Sequence, residues 1–222
     1  MKRTKTLKAT TALVLAAGLV VGLAGCGDDG ESVTGTTQGE VSAAVTDDPG
    51  STSGSIARAS FLDLLGLVQS SGSFTGTMNA DARVELRTEG GTFVDVGSVS
   101  STDLSMQSDG GEIQVASGTT VDAGSYTAVR LTLENATLTV DAGSTVGGAV
   151  IDADIDIAVG GDDNTVQIEK SLNLNVEGDT ETTVVFDLNS ESWVNQTTAN
   201  AGAASDSEVQ AAATAFTRAT AG

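Results

Sequence analysis

An all-β fold is what this sequence predicts, an antiparallel β-sandwich with a short inserted helix and a helix near the C-terminus, and three observations predict it. At Phe74, Gly76, Met78, Ala80, Ala82, Val84 and Leu86 every even position is apolar or glycine, while Thr75, Thr77, Asn79, Asp81, Arg83, Glu85 and Arg87 are polar. Strict alternation of this kind buries one face of a strand and leaves the other wet. Short β-rich runs then recur at the regular spacing of a sandwich or barrel, separated by glycine and aspartate turns. No run of helical period lies between them to act as the crossover that parallel pairing needs, so antiparallel pairing is expected.

Taken in order, Val41, Ala43 and Val45 point one way along a first strand, which ends at the turn signal Asp47-Asp48-Pro49-Gly50. Residues 56–69 break the period of two, because Phe61, Leu64, Leu65 and Val68 fall at helical spacing, and a short helix covering one end of the sheet is predicted. The ribbon 74–86 would run about 40 Å at about 3.3 Å per residue, so a bend near Gly76 or Asn79 is expected. Glu89-Gly90-Gly91 turns it into a second strand at 92–96. Further strands are predicted at 113–116, 127–134, 137–140, 150–159, 166–169, 172–176 and 183–188. After Trp193 comes a polar linker, then an alanine-rich stretch in which Ser205 and Glu208 make a capping box and Val209, Ala212, Ala213 and Phe216 share a helical face.

Composition narrows the chemistry. The chain has no histidine and one cysteine, which excludes the usual His/Cys zinc and copper sites, Ser-His-Asp and Cys-His catalysis, and any internal disulfide. With only one Trp, one Tyr and five Phe, the core must be built mainly from Val, Leu, Ile and Ala. No cofactor is expected.

The cysteine sits in Leu23-Ala24-Gly25-Cys26, behind a basic start (Lys2, Arg3, Lys5, Lys8) and an apolar run at 12–23 that is short for a bilayer span. This order resembles a bacterial lipobox. It implies a lipoprotein signal peptide at 1–25, diacylglycerol attachment at the Cys26 thiol, a flexible tether over 26–39, a β-sandwich domain at 40–194 and a linker with a marginal helix at 195–222. Gly27, where aspartate would signal retention, resembles outer-membrane sorting in a cell with two membranes. Four of the ten basic residues and none of the thirty acidic ones precede Cys26, so the chain from Cys26 onward carries six bases against thirty acids, a net charge of −24. That charge excludes nucleic acid and anionic lipid surfaces as natural partners.

Three stretches carry a family resemblance: Val45-Thr46-Asp47-Asp48-Pro49-Gly50, Ala123-Gly124-Ser125-Tyr126-Thr127-Ala128-Val129-Arg130-Leu131, and Val185-Phe186-Asp187-Leu188. In kind, order and spacing they resemble the family called domain of unknown function 4382, over roughly residues 39–194, with the segment at 54–72 departing as an insertion. The resemblance implies an exported sandwich domain and brings no established activity. Its motif residues here are Asp47, Pro49, Gly124, Tyr126, Arg130, Leu131 and Asp187. Read physically, Gly124 serves a tight turn, Tyr126 caps the core with its hydroxyl toward water, and Arg130 is a fixed cation among carboxylates.

Asp152, Asp154 and Asp156 alternate with apolar neighbours, with Asp162 and Asp163 just beyond, and oxygen clusters of this kind are candidate calcium ligands. Positions two apart on a strand stand nearly 7 Å apart, however, so a solvated acidic face is favoured over a cation cage. Paired carboxylates also leave open a hydrolase of extracellular polymers, although the aromatic lining that usually holds sugars is missing. The expected function is that of a lipid-anchored, extracytoplasmic binding or structural module, not an enzyme, whose partner is an envelope protein or a polysaccharide.

Overall fold

The computed structural model describes residues 37–47, 74–106 and 112–219. Its strands are β1 (Gln38–Thr46), β2 (Gly76–Thr88), β3 (Phe93–Met106), β4 (Glu112–Asp122), β5 (Gly124–Val140), β6 (Thr145–Val146), β7 (Ala149–Val150), β8 (Ile155–Val159), β9 (Val166–Val176), β10 (Glu181–Asp187), β11 (Ala203–Ala204) and β12 (Thr214–Ala219). Two short helices, α1 (Gln196–Ala201) and α2 (Asp206–Ala212), and two 3-10 turns complete the set.

The strands form a four-stranded sheet in the order β12-β10-β1-β4 and a six-stranded sheet in the order β11-β8-β5-β2-β3, in which β9 also pairs with β5. The length of β5 makes this possible: residues 124–133 pair with β9, residues 137–140 pair with β8, and the opposite edge pairs with β2. The even side chains of β2 meet Leu131, Leu133 and Leu138 of the same sheet and Val41, Ala43, Val45, Val184 and Phe186 of the other in one aliphatic core. Fully burying each such side chain contributes about 1.5–3 kcal/mol, which is how a core poor in aromatic residues holds.

The fold is the predicted sandwich, and the alternating ribbon is an interior strand of its larger sheet, between β5 and β3. The irregularity in that strand lies near Asn79, one of the two expected places: the register slips between Asn79 and Asp81 against β5 and between Ala80 and Ala82 against β3. Gly91 turns the β2–β3 hairpin with φ 84, a value open to glycine.

Several elements differ from the sequence expectation. The first strand and the last core strand, β1 and β10, pair in parallel. No crossover helix is needed, because the intervening strands make the connection. The runs at 127–134 and 137–140 join into β5 through Asn135 at φ 54, and those at 166–169 and 172–176 join into β9. The strand expected at 150–159 begins only at Ile155, because Ile151 folds back, accepting from Gly143 N–H at 2.7 Å and donating to the Ser144 carbonyl at 2.8 Å.

The sandwich also continues past residue 194. Within the expected linker Asn195 caps α1, its side chain accepting from Thr197 and Thr198 N–H, and α2 begins at the predicted Ser205/Glu208 box. Phe216 is not on that helix: residues 214–219 form β12 against β10. The helix expected at 56–69 lies outside the described residues. No helix among the described residues is long and apolar enough to cross a membrane.

Candidate functional site

Parallel pairing of β1 and β10 sets Thr46 beside Asp187, and Leu188 N–H donates to the Thr46 carbonyl at 3.0 Å. Two motif aspartates from opposite ends of the chain, Asp47 and Asp187, therefore meet at one end of the sheet. Both are buried, at 5% and 2% exposure. Ser190 N–H donates to Asp47 Oδ1 at 2.7 Å, the Ser190 hydroxyl donates to Asp47 Oδ2, and Asn189 N–H donates to Asp187 Oδ1 at 3.0 Å. Burial pushes the Asp47 carboxyl up to about 6, aided by the charges of Asp187 and Glu191 and opposed by the two bonds from Ser190.

The 3-10 turn Ser190–Ser192 hands the chain to Trp193, which is fully buried and donates from Nε1 to the Leu188 carbonyl at 3.2 Å. Trp193 and Val194 N–H both donate to the Ser190 carbonyl, at 3.0 and 2.8 Å. The junction is sealed. A raised carboxylate is present, but it is engaged by the Ser190 turn and buried at 5% exposure.

The middle motif stretch places Arg130 on the outer face of the six-stranded sheet. Arg130 stands opposite Glu85 in the β2–β5 register, donating from Nε and Nη2 to Glu85 Oε2 at 2.8 and 2.6 Å. Its guanidinium carbon lies 3.6 Å from the centroid of the Phe93 ring, a cation–π stack. Arg83 bridges Glu85 and Asp95, and Arg87 bridges Glu169. Arg130 is thus the fixed cation that the sequence suggested, but Glu85 is only 7% exposed and is not the wet-face residue expected of its odd position. The cluster neutralises itself, three arginines against Glu85, Asp95 and Glu169. Glu85, Phe93 and Ser190 carry no sequence signal of their own, because only strand register and chain return bring them to their partners.

Leu131 is fully buried, and Gly124, with φ 152, opens β5 in the turn from β4. The Tyr126 ring is buried, and its hydroxyl donates to the carbonyl of the exposed Asp122 at 2.8 Å. A buried tyrosine tied to backbone a few residues upstream is the corner device of many sandwiches.

The acidic stretch is dispersed. Asp154 accepts from Ala142 N–H at 2.9 Å, Asp156 accepts from the Thr139 hydroxyl at 2.7 Å, Asp152 is exposed in the bend, and Asp162 and Asp163 ride the 3-10 turn Gly161–Asp163. Among the described residues no group of three or more acidic or Cys/His side chains is placed to hold a metal ion.

A small apolar crevice lies between the sheets, lined among others by Val45, Met78, Leu104, Ile113 and Leu133. Cys26 and Pro49 lie outside the described residues. Comparison with family models, with curated proteins and with solved structures gives no match for this chain.

Proposed function

We propose that this chain is a lipid-anchored extracytoplasmic protein of the kind called domain of unknown function 4382. Its sandwich, tethered to the membrane at Cys26, serves as a binding or structural module toward an envelope protein or polysaccharide. The reading of the anchor rests on the order of basic start, short apolar run and Leu23-Ala24-Gly25-Cys26. A strongly anionic domain suits a cationic or calcium-bridged partner, with affinity that falls as salt rises.

The alternative is a carboxylate-dependent hydrolase, and one observation favours the module over it. The described carboxylate raised to about 6, Asp47, is sealed against Ser190, whereas the described lining of the crevice is aliphatic with one threonine. A hydrolase wants its raised acid open to substrate.

Two measurements on the full chain test this. Fatty-acid labelling is expected in the wild type and absent from Cys26→Ser, because serine forms no thioether; labelling that persists in the variant removes the anchor. The purified protein, screened against polysaccharide and peptide substrates, is expected to retain a ligand without turning it over. Turnover abolished by changing one acidic residue to its amide would install the hydrolase.

A further inference from the structure

The Asp47–Ser190 contact joins the end of β1 to the turn that follows β10, two segments 143 residues apart in sequence. Trp193 N–H donates into this turn, to the Ser190 carbonyl, as does Val194 N–H, and the indole N–H donates to the Leu188 carbonyl just before it, while the Trp193 carbonyl is held from the other side by Asn195 and Thr198. Asp47 and Ser190 are 5% and 1% exposed, so an ionised Asp47 is held in a site that water scarcely reaches.

Among the described residues, the charged groups that act on Asp47 are acidic. Asp187 comes from β10 and Glu191 from the turn. From β4, Glu112 lies opposite Thr46 and is engaged by Arg218 at 2.8 Å. The other described cations are committed elsewhere: Arg83, Arg87 and Arg130 to the far sheet, and Lys170 to the Gln210 carbonyl. Ser190 supplies two donors, which hold the carboxylate without cancelling its charge.

We propose that the Asp47–Ser190 junction is a pH-sensitive latch, which fastens the Ser190–Trp193 turn to the end of β1 while Asp47 is protonated and loosens it when Asp47 ionises. The sign follows from geometry and linkage together. Opening the turn exposes Asp47 to water, where it ionises near 3.8, whereas closed it ionises near 6. The open state therefore gains population as pH rises across that interval, by about a hundredfold, and levels off above it. The inference is independent of the proposed anchoring and binding roles.

The test is amide hydrogen exchange at Trp193 and Val194 in the full chain between pH 4 and 8, corrected for intrinsic exchange, with Trp193 fluorescence as a second reporter. In the wild type the opening constant is expected to climb about a hundredfold and then flatten. In Asp47→Asn it is expected to stay constant within about threefold, since the amide cannot ionise. Ser190→Ala, which removes the hydroxyl that favours the ionised form, is expected to extend the climb to higher pH. A flat wild type, or an Asp47→Asn variant that climbs as the wild type does, overturns the latch. If Asp47→Asn does not fold, the carboxyl carbon resonance of Asp47 in the wild type decides: a midpoint near 6 supports the proposal, and one in the ordinary aspartate range overturns it.

Discussion

Arg130 and Glu85 face each other across β5 and β2 with Nη2 2.6 Å from Oε2, and the Phe93 ring closes over the guanidinium. With side chains only 22% and 10% exposed, the pair is a partly desolvated charge contact rather than a surface bridge. Removing one partner leaves the other charge poorly solvated. Arg130→Ala and Glu85→Lys are each expected to destabilise by about 2–4 kcal/mol in denaturant unfolding, while Glu85→Leu combined with Arg130→Met recovers most of the loss. Additive losses in the double variant would show that the packing, not the charge pair, carries the effect.

The alternation of β2 gives a sharper contrast. Val84 is fully buried and Thr77 is exposed on the opposite face. Val84→Asp places an unpaired charge in the core and is expected to cost about 3 kcal/mol or more, whereas Thr77→Lys changes stability by less than about 1 kcal/mol. Urea midpoints of the two variants decide it.

Tyr126→Phe deletes the bond to the Asp122 carbonyl and keeps the ring. Asp122 lies at the exposed end of β4, where water can replace the lost donor, so thermal unfolding is expected to report a loss of about 1 kcal/mol. A loss as large as that of Val84→Asp would mean that the corner organises more than its own hydrogen bond.

At the start of α2 the Ser205 hydroxyl and N–H donate to Glu208 Oε2 at 2.7 and 2.9 Å, and these bonds hold the Glu208 carboxyl below its ordinary value of 4.5. The stability this cap supplies is complete above the ordinary glutamate range and is lost as pH falls through the lowered value. Amide exchange in α2 is expected to accelerate on acidification in the wild type and to lose that acid dependence in Glu208→Gln. Asp47 acts with the opposite sign, so the two ends of the pH scale test different junctions.

The local rules were legible without the fold. Alternation at Phe74, Met78, Val84 and Leu86 named the buried face of β2, Glu89-Gly90-Gly91 named its hairpin, and Ser205 with Glu208 named a helix start. Each depends on neighbours within a few residues, for which sequence is sufficient. The same rules misread elements whose limits are set from outside. Residues 98–106 are too polar to advertise a strand, yet β2 supplies a ladder that carries β3 to Met106. Phe216 fits a helical stripe, yet β10 offers it an edge.

Of the candidate site, the sequence by itself determined the actors: the two aspartates, Tyr126 and Arg130, with a composition that leaves no histidine to work beside them. Only the tertiary structure decided what those residues meet. The parallel seating of β1 on β10 makes neighbours of Asp47 and Asp187, and the turn that follows delivers Ser190 to Asp47. Register likewise decides that Arg130 meets Glu85. The physical reason is that alternation states which face of a strand is buried but not which strand lies beside it. Pairing across the whole chain is fixed by how the sheets close over a shared core, and the energy that decides it is long-range burial, which no short window of sequence contains.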